Sequence, residues 1–318
     1  EGKAVIKNLP LGSYKVVETT APKGFVLNSE AQTITFSYKN QETPVIEQTA
    51  TFDNERQKVE ISVVKQDADN EAPVAGAEFG LYAKADIEAH GTVIVKADTL
   101  IGTAISDENG KAVFTQDLPF GEYYIKELAA PNGYVSSDEV IEVKAEYQGQ
   151  EVKVVQVASV FKNQPTKIEV SKSDLTTGVE LSGATLTVLD KDGNVVDTWK
   201  SVKGEKHLIE RLAVGETYTL REELAPYGYL KAEEITFTIE DTGEIQKVEM
   251  KDDVPTGTIL INKNGEFLDK VTPLDSVGGW ISHLFQYVTG NLKDVTFEVY
   301  ALEDVKAADG ESEDYYKK

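Results

Sequence analysis

One block of sequence occurs three times: YKVVETTAPKGF at 14–25, YYIKELAAPNGY at 123–134 and YTLREELAPYGY at 218–229. Self-similarity at a fixed period means that each copy belongs to one repeating structural unit. Every copy has Tyr, Glu four residues on, Pro four further, then Gly and an aromatic residue. A short turn precedes each: LPLGS (9–13), LPFGE (118–122) and LAVGE (212–216). Two other segments recur in step. An opening strand reads KVEISVVK (58–65), KIEVSK (167–172) and TILINK (258–263). A closing strand reads ATFDN (50–54), SVFKN (159–163) and VEMKD (248–252).

This spacing predicts complete domains at 56–164 and 165–254. Residues 1–55 hold only the later segments of the plan, and 255–318 only the opening one. The reading is therefore of a fragment truncated at both ends, a stiff rod joined by short linkers.

Alternating, β-branched runs bounded by turns, such as QTITFSYK (32–39), KAVFTQDL (111–118), ATLTVLD (184–190) and EITFTIED (234–241), predict strands. DENG (107–110) and DKDGN (190–194) have hairpin-turn chemistry. Many short strands make an all-β protein of tandem antiparallel, immunoglobulin-like sandwiches. WISHLFQYV (280–288) is the exception: Trp280, Ile281, Leu284, Phe285 and Val288 share one helical face, which predicts an amphipathic helix inserted in 255–318.

Strand parity shows which residues point inward. Val59, Ile61 and Val63 lead to Lys65; Ile168 and Val170 lead to Lys172; Ile259 and Ile261 lead to Lys263. In the repeated block the apolar face continues to Glu18, Glu127 and Glu222, and in the closing strand to Asn54, Asn163 and Asp252. Each of these polar groups lies on the apolar face of its strand. One inward lysine at a strand end snorkels to solvent, but the same three residue types recur in register. Buried charges need partners, and a buried Lys–Glu ion pair hydrogen-bonded to Asn is one solution. Reaction is another. Burial lowers the pKa of Lys and raises that of Glu, leaving an amine able to attack the Asn or Asp carbonyl while the acid shuttles protons.

Composition restricts the alternatives. The chain of 318 residues carries a formal charge of −23, which opposes binding to nucleic acid or anionic lipid. No apolar run reaches the roughly 20 residues of a membrane span. Cysteine is absent, which removes disulfides, thiolate metal sites and cysteine catalysis. His90, His207 and His283 are scattered, and DADNE (67–71) and DKDGN (190–194) lack the full EF-hand pattern and read as turns. No metal, cofactor or multiple-turnover enzyme is expected. LPLGS and LPFGE lack the Thr of a complete sortase signal, and VPTGT (254–258) reads as linker.

The Tyr-x-x-x-Glu-x-x-Ala-Pro-x-Gly-aromatic block, with Lys upstream and Asn or Asp downstream, resembles the collagen-adhesin B-type, prealbumin-like domains of Gram-positive adhesins and pilins. The resemblance implies an autocatalytic intramolecular isopeptide bond in each complete domain. It assigns Lys65–Glu127–Asn163 to one bond and Lys172–Glu222–Asp252 to the other. Glu18 and Asn54 lack their Lys, and Lys263 lacks its acid and acceptor. A stalk at the bacterial cell wall is implied, with a host surface or matrix ligand bound elsewhere in the full-length protein. Direct binding of a host glycoprotein, immunoglobulin or carbohydrate is the alternative, although Trp199 and Trp280 are the only tryptophans available for a sugar platform. The incomplete ends leave open edges that favour self-association, and pairing between chains would bring Lys263 to Asn54.

Overall fold

The computed structural model describes residues 2–277 and 280–300, without the side chains of 275–281. It contains strands and no helices among these residues. Contacts divide it into two compact units. One comprises 1–168 with 208–217 and 238–246; the other comprises 169–207, 218–237 and 247 onward. Residues 165–168, 208–217 and 238–246 of the second complete repeat therefore belong to the first unit.

In the first unit, β1 (Gly12–Val16) and β2 (Gln32–Phe36) form an antiparallel pair, with Tyr14 opposite Ile34. Nine strands follow: β3 (Lys58–Asp67), β4 (Glu78–Ala83), β5 (Ile87–Ala89), β6 (Thr92–Val95), β7 (Leu100–Ile105), β8 (Lys111–Phe114), β9 (Gly121–Ala129), β10 (Val140–Ala145) and β11 (Val154–Asn163). One sheet has the order β10-β9-β4-β7 and the other β11-β3-β8, while β5 and β6 make a separate hairpin. The DENG turn thus links strands of different sheets rather than closing a hairpin. Asp107 Oδ1 accepts the amides of Asn109 and Lys111, which turns the chain sharply from one sheet to the other.

The core comes from the inward positions of both sheets, including Val59, Ile61, Val63, Phe79, Leu81, Phe114, Tyr123, Ile125, Val155 and Phe161. Phe79 and Phe161 meet edge to face at 5.3 Å. β3 and β11, the first and last strands of the first complete repeat, run parallel over ten residue pairs. The whole intervening domain serves as the crossover that a parallel pair requires.

The second repeat supplies β12 (Lys167–Asp174), β13 (Thr185–Leu189), β14 (Val195–Lys200), β15 (His207–Glu210), β16 (Thr217–Leu224), β17 (Ile235–Thr238) and β18 (Gln246–Asp252). A sheet of order β14-β13-β16-β17 forms, and β12 lies beside β18 in another. Here DKDGN does close a hairpin, between β13 and β14.

Beyond 254 the structure departs from the expected plan. TILINK forms no strand, and WISHLFQYV lies within a strand rather than a helix. β19 (Asn264–Val277) and β20 (Trp280–Asn291) make a long antiparallel hairpin, with Phe267 opposite Val288 and Val271 opposite Phe285. Aromatic and β-branched residues favour a pleated surface, and a facing strand with matching side chains overrides the helical spacing. ATFDN also lacks strand pairing. In the complete repeats the closing strand pairs with the opening one, as β11 does with β3, and residues 1–55 contain no such opening strand.

Candidate functional site

The repeated glutamate occupies the same architectural position in both complete repeats. Glu127 on β9 faces Phe79 on β4, and Glu222 on β16 faces Leu186 on β13. In each case the register shifts at the residue just before that apolar partner. Such bulges re-aim side chains near reactive sites. Each carboxylate is then held by the amide ten residues downstream. Ser137 N donates to Glu127 Oε2 at 3.2 Å and Ala232 N to Glu222 Oε2 at 2.8 Å. Asn28 N does the same for Glu18 Oε2, at 2.8 Å.

The acceptor residue is fixed through its backbone. Ala68 N donates to Asn163 O at 2.9 Å, and Leu175 N to Asp252 O at 2.8 Å. The Asn163 amide Nδ2 donates to Glu127 Oε2 at 2.7 Å and to Val135 O at 2.8 Å. Asn54 repeats both contacts, to Glu18 Oε2 at 2.7 Å and to Val26 O at 2.9 Å. The acid–acceptor pair therefore forms in residues 1–55 even though the closing strand does not. In the first complete repeat, Asn163 Oδ1 and Glu127 Oε1 are buried without hydrogen-bond partners.

Lys65 and Lys172 lie on the inward rows of β3 and β12 and are buried, at 0% and 2% exposure. Around Lys65 the walls are apolar: its Nζ lies 5.6 Å from the centre of the Phe161 ring and 5.9 Å from that of Tyr134. Burial pulls the Lys65 pKa down to about 8, partly offset by the charges of Glu127, Asp67 and Glu139. Burial also raises the Glu127 pKa, against the hydrogen bond from Asn163 and the charge of Lys65. Both shifts favour neutral partners. At the second site Lys172 Nζ contacts Asp252 Oδ1 directly and lies 3.0 Å from Glu222 Oε1. Burial pushes the Asp252 carboxyl up to about 6, with the Lys172 contact opposing and Glu222 adding to the rise. Lys263 is exposed, in a segment without strand structure.

Sequence reasoning missed three residues beside the first site. Asp67, two residues past Lys65, is 1% exposed and accepts from Tyr134 OH at 2.9 Å and Arg211 Nη2 at 2.9 Å. Its signal was present, since Lys-x-Asp recurs at 172–174 and the aromatic closes every block. Arg211 carries no such signal. Asp67 Oδ1 and Asp190 Oδ1 each cap backbone amides of their own loops, so the two acidic stretches are turns, as read. Trp199 has one face stacked on His207, with ring centres 4.1 Å apart. No helix of the described residues is long and apolar enough to cross a membrane.

No curated protein sequence matches the chain. Among solved structures, the Bacillus anthracis TIE protein is 30% identical over 77% of this chain, with a TM-score of 0.47. The chain spans 42% of that protein's length. The shaft pilin SpaA of Lactobacillus rhamnosus GG is 17% identical, covering 64% of this chain and 99% of its own, with a TM-score of 0.30. A streptococcal ancillary pilin is 22% identical, covering 78% and 76%, with a TM-score of 0.27. The family model described as SpaA, prealbumin-like fold domain, matches residues 1–51, 59–158 and 166–254, so the chain belongs to the prealbumin-like fold domain family.

Proposed function

We propose that the chain is a tension-bearing stalk segment of a bacterial surface pilin or adhesin, locked by Lys65–Asn163 and Lys172–Asp252 isopeptide bonds. One observation carries the reading: the same acid, amide donor and acceptor recur in register, with a buried lysine beside them in both complete repeats. At the first site the Lys65 amine attacks Asn163 Cγ. The new Nζ–Cγ bond replaces the Cγ–Nδ2 bond, Glu127 moves a proton from nitrogen to nitrogen, and ammonia leaves. At the second site the Lys172 amine attacks Asp252 Cγ, Glu222 delivers the proton to oxygen, and water leaves. Holding the groups in one buried site supplies the high effective concentration that lets such a reaction proceed unaided. A neutral amide then replaces buried charges whose desolvation costs several kcal/mol.

Each bond joins the first strand of a repeat to its last. Load entering along β3 passes directly to β11, so the ladders between them carry little of it. Membership in the prealbumin-like fold domain family and the absence of cysteine fit an exposed stalk that takes its reinforcement from amides. Residues 1–55 hold the acid and acceptor of a third site, Glu18 and Asn54.

Intact-mass spectrometry tests the reading. The protein is expected to weigh one ammonia and one water less than its sequence, and a mass equal to the sequence would overturn both bonds.

A titration of unreacted protein gives a second check. In Asn163→Ala, Lys65 remains a free amine with a folded pKa of about 8 against an ordinary value of 10.5. Between these values the unfolded chain binds more protons, so stability rises with pH across that window. The stability gap between Asn163→Ala and the wild type is expected to narrow as pH climbs from about 8 toward 10.5. A gap independent of pH in denaturant melts would mean that Lys65 is not a buried amine.

A further inference from the structure

The proposed bond at Lys65 needs an uncharged amine, yet a buried carboxylate, Asp67, stands two residues away on the same inward face of β3. Left alone, Asp67 would take the Lys65 ammonium as its counterion and hold it charged; its field already acts on Lys65 in that sense. Asp67 has another cation. Arg211 Nη2 lies 2.9 Å from Asp67 Oδ2, and Arg211 Nε donates to Tyr134 OH at 3.3 Å. Tyr134 OH donates to the same carboxylate oxygen at 2.9 Å, and the Tyr134 ring forms one wall of the Lys65 site.

This arrangement is built rather than incidental. Arg211 has φ +64°, in the left-handed region that a side chain of its kind seldom adopts. The strained backbone is held in place by neighbours within the first unit. Arg211 N donates to Thr166 O at 3.0 Å, and Thr166 Oγ1 donates to Leu212 O at 2.7 Å. Gly133, in the repeated block, closes the seat: a Cβ there would fall 2.6 Å from Arg211 O.

We propose that Arg211 is a positioning residue for the Lys65–Asn163 reaction, taking up the charge of Asp67 so that the Lys65 amine is released toward Asn163. The inference rests on the isopeptide reading above and adds an order of events. Arg211 belongs to the repeat that follows, so the first cross-link closes fully only after the 208–217 segment has folded onto Asp67 and Tyr134. Partly made chains would stay unlocked until that segment arrives.

The test follows bond formation in time. The full chain is synthesised in a cell-free system, quenched in acidic denaturant at successive times, and weighed. Ammonia loss reports the Lys65 site and water loss the Lys172 site. Arg211→Ala is expected to slow ammonia loss about tenfold at neutral pH, as a rise of about one unit in the lysine pKa would. Water loss should keep its wild-type rate. Asp67→Asn keeps the oxygen that caps the turn and removes the charge, so the double variant Asp67→Asn/Arg211→Ala should recover wild-type ammonia loss. Arg211→Lys should recover part of it.

Wild-type timing in Arg211→Ala overturns this inference and leaves the bond itself standing. Equal slowing of both losses, or a double variant as slow as Arg211→Ala, overturns it as well, because Arg211 would then serve folding rather than the charge on Asp67. A wild-type chain that never loses ammonia removes the bond and this inference together.

Discussion

Glu127→Ala is expected to return the mass of one ammonia to the protein while the water loss from Lys172 and Asp252 persists; Glu222→Ala should do the reverse. The sites are independent because each acid reaches only its own acceptor, Glu127 through Asn163 Nδ2 and Glu222 through the lysine that also contacts Asp252. Removing the acid takes away both carbonyl polarisation and proton transfer. A positioned general acid–base contributes about 10²–10⁴-fold, so the bond should form at least about 100-fold more slowly. Glu127→Gln separates the roles further, because the amide can still hydrogen-bond Asn163 but cannot carry a proton. An unreacted ion pair predicts something different: alanine at 127 or 222 would change stability and leave the mass deficit at zero in every variant. Full ammonia loss in Glu127→Ala would remove the acid from the reaction.

Much of this site was legible because parity is a strong constraint. A strand alternates faces, so Val59, Ile61 and Val63 fix the side on which Lys65 lies, and the same count placed Asn163 and Asp252. Repetition supplied the rest, since one inward lysine means little and its recurrence with Glu and Asn means more. What parity cannot supply is pairing. Nothing local in KVEISVVK or SVFKN announces that their strands run parallel, and DENG is equally compatible with a hairpin and with a step between sheets. The segment at 280–288 shows the opposite weakness. Its apolar residues satisfy a helical period, but the decisive fact is the facing strand at 264–277, which local periodicity does not contain. Arg211 was invisible for the same reason: it meets Asp67 across 144 residues of sequence.

The largest consequence for the folded protein should appear under protease. Trypsin needs a locally open chain, and a bond between β3 and β11 prevents the two strands from separating even when the ladder between them breaks. Residues 65 and 163 close a loop of about 100 residues, for which loop-closure entropy, by analogy with disulfides, gives about 4–5 kcal/mol. Where cleavage follows the population of the open form, that difference corresponds to a change of about 10³-fold. Glu127→Ala is therefore expected to be cut within 56–164 up to about 10³-fold faster than the wild type, while 165–254, locked by its own bond, resists as before. The parallel pairing of β3 with β11 and the apolar core do not depend on the bond, so the far-ultraviolet circular dichroism of the variant should match the wild type. That combination separates a missing cross-link from a misfolded domain, which would lose strand content as well. Equal digestion rates in a variant shown by mass to lack the bond would mean that opening begins elsewhere than at the β3–β11 pair, and the bond would then have no part in resisting load.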